Sequence, residues 1–268
     1  MKISAIETCA VSAGWTNWLL VKVITDSGIY GIGEGTLNGF IRTTEAALRE
    51  LEHLAIGQDP WRVNQLSKHL MDSVSLDGGH IHRTDVAAIE VACWDILGKS
   101  LGVPVHALLG GRVRESVLGY ANGWYRTERT PEHFVAAAEA VVAKGFHALK
   151  LDPFGTAQGF IEDDELQLSY DILKAIRDRF GPKLRILIDV HARFTEADAL
   201  RAARKLAPLD LYWWEEPTTR EREQPANAVA LLCPIRVATG EMYDPKAYLN
   251  IFQDGWEKRL GQQPADKP

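Results

Sequence analysis

Three carboxylates in the second half of the chain, Asp189, Glu215 and Glu241, stand 26 residues apart. That interval matches one strand-plus-helix unit, and each carboxylate follows a short apolar, β-branched or aromatic run that reads as a strand. Lys150 belongs to a similar run, residues 148–151. If these strands are parallel, chain polarity carries all four charges to one rim, the C-terminal one, where loops vary without disturbing a packed interior. Three oxygen donors with no cysteine or paired histidine beside them suit a hard divalent cation such as Mg²⁺. The alternative is that each is a strand-end charge facing water or an arginine, as one standing alone would be; the repeat favours the metal. Glu216 is the weaker ligand, because alternation along a strand sends its side chain to the face opposite Glu215.

Such a rim suits a carboxylate substrate. Removing the proton next to a carboxylate leaves an ene-diolate with two negative oxygens, and a divalent cation is a compact way to stabilise them. Lys150 would add a second positive charge, or would merely neutralise Asp152, two residues on. His191 lies two residues after Asp189. An imidazole titrates near neutrality and can hand a proton to a departing β-hydroxyl; the plainer reading is a surface imidazole at a strand end. The other histidines have no mutual ligand spacing. The Trp213-Trp214 pair reads as core, with a ligand wall as the alternative.

The elements that position these residues come in two rhythms. Residues 3–11 and 18–25 alternate as strands, and apolar spacings of three and four then predict helices over 43–54, 63–71 and 84–101, the last ended by Gly102 and Pro104. This is an α+β unit of about 110 residues. Beyond it strands at 117–120, 148–151, 185–190, 211–214 and 235–238 alternate with helices at 131–144, 164–180, 196–206 and 226–232. That order argues for parallel strands with crossover helices, in a (β/α) barrel or a doubly wound sheet. No GxGxxG follows a strand, which counts against a dinucleotide-binding sheet.

Composition narrows the function classes. The chain of 268 residues has 46% hydrophobic residues, and its 30 basic against 36 acidic side chains give a formal charge of −6. That balance argues against nucleic acid as a partner. No stretch approaches the roughly 18 continuous apolar residues of a membrane span, and the start reads as a strand instead of a signal peptide, so a cytoplasmic location is expected. Cys9, Cys93 and Cys233 are odd in number and set in apolar sequence, and are read as reduced core thiols.

Four segments carry a family likeness: VAAIEVACWDILGKSLGVPVHALLGG at 86–111, LIDVHARF at 187–194, YWWEEP at 212–217 and ATGEMYDP at 238–245. Together they resemble the mandelate racemase/muconate lactonizing enzyme group of the enolase superfamily, over residues 1 to about 255. The resemblance implies an α+β capping domain (1–111), a partial (β/α) barrel (112–255) and a polar tail outside the family pattern (256–268). It also implies Mg²⁺ held by Asp189, Glu215 and Glu241.

Within the group the chain is most similar to sugar-acid dehydratases of the D-galactonate dehydratase type, whose mark is a histidine two residues after the first metal ligand, here His191. Mandelate-racemase-like members carry Lys-x-Lys on the second barrel strand, whereas this chain has Lys150-Leu151-Asp152. Asp152 in the second lysine's place favours dehydration to a 2-keto-3-deoxy acid over lysine-based racemisation. The implied partner is a small-molecule sugar acid, with a homo-oligomer as an option, and cycloisomerisation or racemisation is the runner-up. Family barrels continue for three more strands that bring an Asp-His base. The resemblance therefore implies a C-terminally truncated chain, impaired as a catalyst unless Lys150 or Asp152 serves as base, or else a non-catalytic remnant or interaction subunit.

Overall fold

The computed structural model of the chain describes residues 1–75, 78–219 and 229–241. It divides into two compact units that meet between Ser116 and Val117.

The first unit opens with an antiparallel sheet, β1 (Ile3–Ser12), β2 (Asn17–Thr25) and β3 (Tyr30–Glu34), in that spatial order. Alternation along β2 sends Leu19, Val21 and Val23 into a core shared with helices α1 (Ile41–Ala55), α2 (Val63–Met71) and α3 (Gly79–Leu101); a short helix α4 (Val105–Leu108) follows. Helix α3 lies against β3 at backbone contact distance. A Cβ added at Gly31 would stand 1.9 Å from the Ala92 carbonyl oxygen, and one at Gly33 would stand 2.0 Å from that of Ala88. The contact is clamped by Asp95, whose carboxylate accepts the Ile32 N–H at 2.9 Å and pairs with Lys99.

Two features of the chain depart from the pattern reading. Helix α3 starts five residues before the expected 84, because the polar stretch from Gly79 to Arg83 hides a helical turn that already buries His82. Cys9 is exposed and Cys233 half-buried, so only Cys93 is a core thiol, pushed up to about 12 by burial and the nearby Glu90 charge. In β1, Cys9 pairs with Leu20 on the sheet face turned away from the helices.

The second unit is a four-stranded parallel sheet, β4 (Ala148–Leu151), β5 (Arg185–Asp189), β6 (Trp213–Glu215) and β7 (Val237–Ala238), ordered as in the chain. Helices α5 (Pro131–Val142), α6 (Asp163–Phe180) and α7 (Glu196–Leu206) alternate with the strands. This is part of an α/β barrel. Leu149, Leu151, Ile186, Ile188 and Trp214 are fully buried, as expected for strands covered on both faces. Local signals fix the crossovers: Thr130 and Thr195 accept the His133 and Asp198 N–H groups as N-caps, and Pro131 opens α5.

Residues 117–120 do not form the expected strand. Only Ala121 reaches β4, accepting from the Lys150 N–H and donating to Ala148, while Val117 and Leu118 stay exposed. Of the helix expected at 226–232, residues 229–232 are described and are helical. The expectations for 242–255 and for the tail at 256–268 lie outside the described residues.

Candidate functional site

Strand register brings the first charges together. Asp189 and Glu215 end β5 and β6 as paired partners, and Lys150 is the third residue of β4, beside them. The Lys150 ammonium lies 2.7 Å from Asp189 Oδ2 and 2.6 Å from Glu215 Oε1. These side chains are 7%, 3% and 13% exposed for Lys150, Asp189 and Glu215. Burial works against the charge on Lys150, but hydrogen bonds to both carboxylates and their negative charge outweigh it and raise its pKa. Lys150 does not neutralise Asp152, whose carboxylate pairs with His191 and Arg193 instead. Trp213 Nε1 donates to Glu215 Oε2 at 2.9 Å, so one member of the tryptophan pair serves the site while Trp214 fills the core.

The second cluster is built on an unusual turn. His191 and Ala192 both have positive φ, 54° and 53°. For residues with a Cβ this costs on the order of 1–3 kcal/mol each unless surrounding bonds enforce it. Here the His191 N–H donates to Asp189 Oδ1 at 2.9 Å and the Ala192 N–H to the Glu216 carbonyl at 2.7 Å. The turn swings the imidazole back over the strand ends, where Nδ1 lies 3.0 Å from Asp152 Oδ2 and Nε2 lies 3.2 Å from Asp189 Oδ2. The Asp152 hydrogen bond raises the His191 pKa; burial and Arg193 oppose this, while the charges of Asp189 and Asp152 add to it. Arg193 ion-pairs with Asp152 and donates to the Val190 and Gly155 carbonyls, which fixes the carboxylate that orients the ring.

Glu216 turns to partners other than those of Glu215. Its φ is 39°, and its buried carboxylate accepts the Gly240 N–H at 2.6 Å and the Thr239 hydroxyl at 3.2 Å. It thereby grips the turn that carries Glu241, which is itself exposed and three residues beyond β7. Among the described residues no three His, Cys, Asp or Glu side chains form a ready-made metal cage. What the strands do assemble is a buried two-carboxylate pair around one cationic group, with Glu241 one strand further. That all-oxygen donor set fits a hard divalent cation.

Sequence reasoning assigned no role to Arg193 or to the half-buried Tyr125. The Tyr125 hydroxyl pKa is raised by burial and by the Asp152 and Asp189 charges, against the opposing effects of Lys150 and a backbone hydrogen bond from Asp152. The available signal for Arg193 was its place two residues after His191.

Comparison with known proteins extends this picture. Residues 2–110 match the mandelate racemase/muconate lactonizing enzyme N-terminal domain, and residues 133–256 match the enolase C-terminal domain-like family. D-gluconate dehydratase of Thermoproteus tenax is 34% identical over 91% of this chain and 50% of its own length. D-galactonate dehydratase of Pectobacterium atrosepticum is 33% identical over 95% of this chain and 65% of its own. A solved structure from Mesorhizobium loti, 32% identical, superposes with a TM-score of 0.89 over 94% of this chain and 70% of that one. The chain thus spans one half to just under two thirds of the length of these two curated relatives.

Proposed function

The chain belongs to the mandelate racemase/muconate lactonizing enzyme family of the enolase superfamily, and from that premise we propose that it is a Mg²⁺-dependent sugar-acid dehydratase. The observation that carries the reading is the convergence of Lys150, Asp189 and Glu215, with His191 held beside them by Asp152. Asp189, Glu215 and Glu241 would hold the Mg²⁺, which when bound would supply positive charge to the substrate carboxylate as its α-proton passes to a base, for which Lys150 and Asp152 are this chain's candidates. His191 acts as the acid. Its partners Asp152 and Asp189 favour the imidazolium, which protonates the departing β-hydroxyl so that it leaves as water. Asp152 keeps the ring in place, and Arg193 keeps Asp152 in place. The enol left behind becomes a 2-keto-3-deoxy acid.

The substrate is a small sugar acid, in keeping with the names of the curated relatives. No described helix is long and apolar enough to cross a membrane.

The test is a panel of five- and six-carbon sugar acids assayed with Mg²⁺ for the wild type and for His191→Asn. Elimination needs the acid whereas α-proton exchange does not, so the variant should keep solvent deuterium exchange and lose dehydration by about 10² to 10⁴. Equal loss of both by the variant would contradict the assignment of His191 as the acid.

A further inference from the structure

We propose that the N-terminal rim of the parallel sheet is a second small-molecule site, one that takes a phosphate group, free or as a monoester. It lies at the opposite end of the strands from the candidate site and does not depend on the reaction assigned there. Strand β5 starts at Arg185, β6 follows Tyr212 and β7 follows Arg236. In a parallel sheet the strand starts share one edge as the strand ends share the other. Ladder bonds hold them there. The Arg185 N–H donates to the His147 carbonyl at 3.0 Å, the Tyr212 N–H donates to the Ile186 carbonyl at 2.7 Å, and the Arg236 carbonyl accepts the Trp214 N–H at 2.8 Å.

A hollow of about 460 Å³ opens on this edge, within the roughly 300–1,000 Å³ of small-molecule pockets. Its floor is apolar, with Leu184, Leu211 and Ile235 all buried. Its walls carry Lys183, Arg185 and Arg236, none of them ion-paired among the described residues, against the single carboxylate of Asp210. Both guanidinium groups are held against one ring, with Cζ of Arg185 5.3 Å and Cζ of Arg236 6.0 Å from the Tyr212 centroid, so a small ligand reaches both. The frame is fixed from below. Arg177 of α6 donates to the carbonyls of Gly181, Leu184, Leu209 and Asp210 at 2.7–2.9 Å, which ties the loop before β5 to the loop before β6.

Three unpaired cations in one hollow repel each other, in a chain whose formal charge is −6. An entering anion relieves that repulsion. A carboxylate carries one charge and is met by one arginine, whereas a phosphate carries close to two and has oxygens enough for two guanidinium forks and an ammonium. The Tyr212 ring and the apolar floor leave room beside it for an organic group.

The experiment titrates inorganic phosphate and adenosine 5′-monophosphate, separately and at constant ionic strength, into the whole chain. It is read by the arginine Nε–H NMR signals of the wild type and by calorimetry of the wild type and the double variant Arg185→Gln/Arg236→Gln. Saturable shifts of the Arg185 and Arg236 signals are expected, with binding at least about tenfold weaker in the double variant through loss of charge-assisted hydrogen bonds. An ester bound about tenfold tighter than inorganic phosphate marks a site for a phosphorylated metabolite, and equal affinities mark a site for the free ion; both support the proposal. Shifts that never saturate, or that sodium chloride reproduces, show ordinary solvated strand-edge charges and overturn it. Binding that instead shifts the Arg193 signal and survives in the double variant places the phosphate at the other rim and overturns it too. The wild-type signals decide the matter even if the double variant fails to fold.

Discussion

Asp85, in the middle of helix α3, is fully buried, and neither carboxylate oxygen has a hydrogen-bond partner among the described residues. Burial pushes its pKa from an ordinary 3.8 up to about 7. Because the folded value exceeds the unfolded one, the folded state holds its proton more tightly, and stability is lost as pH rises toward the folded value. The penalty is nearly absent below about pH 4, about 1.5 kcal/mol at pH 5, and levels off near 4 kcal/mol above about pH 7. That plateau is a large share of the roughly 5–15 kcal/mol that holds a domain folded. Asp85→Asn removes the charge and keeps the shape, leaving an amide whose own burial cost does not change with pH. Urea unfolding of both proteins between pH 4.5 and pH 8 isolates the effect, since every other titrating group is shared. The stability difference should move in favour of Asn by about 2–4 kcal/mol across that window. A difference that stays flat to within about 0.5 kcal/mol would mean that Asp85 ionises without penalty and that the burial argument is wrong.

Two further substitutions, one in each unit, probe close backbone contacts. Gly33→Ala forces a methyl against the Ala88 backbone, which no rotamer can relieve; it should cost about 3 kcal/mol or more and lower the thermal midpoint by several degrees in a calorimeter. Glu216→Ala leaves the buried Gly240 N–H without the carboxylate that accepts it and should cost about 1–3 kcal/mol in urea unfolding; a loss below about 0.5 kcal/mol would show that the turn before Glu241 is held by other means.

The parts of this molecule that were readable from sequence are those governed by period and punctuation. Helix α2 and helix α7 fall on the residues that apolar spacing marks, and the 26-residue interval shows as three successive parallel strands. The misreadings lie where a residue's direction depends on something outside its own element. Neighbourhood in the chain pairs Lys150 with Asp152, yet the ammonium reaches across two strands to Asp189 and Glu215, and Asp152 is left to His191 and Arg193. Residues 117–120 have the composition of a strand, but a strand also needs a ladder, and only Ala121 finds one.

The ion pairs around Lys150 also bear on the order in which the molecule assembles. The lysine and Glu215 are 65 residues apart in the chain. At about 5–20 residues per second, the lysine is synthesised roughly 3 to 13 seconds before that partner. Asp189, at the end of β5, is made before Glu215 and pairs with the ammonium at 2.7 Å, so β4 can settle on β5 with its buried charge already met by one carboxylate. Glu215 then brings a second negative charge to the same ammonium when β6 joins, and the sheet can grow strand by strand in chain order.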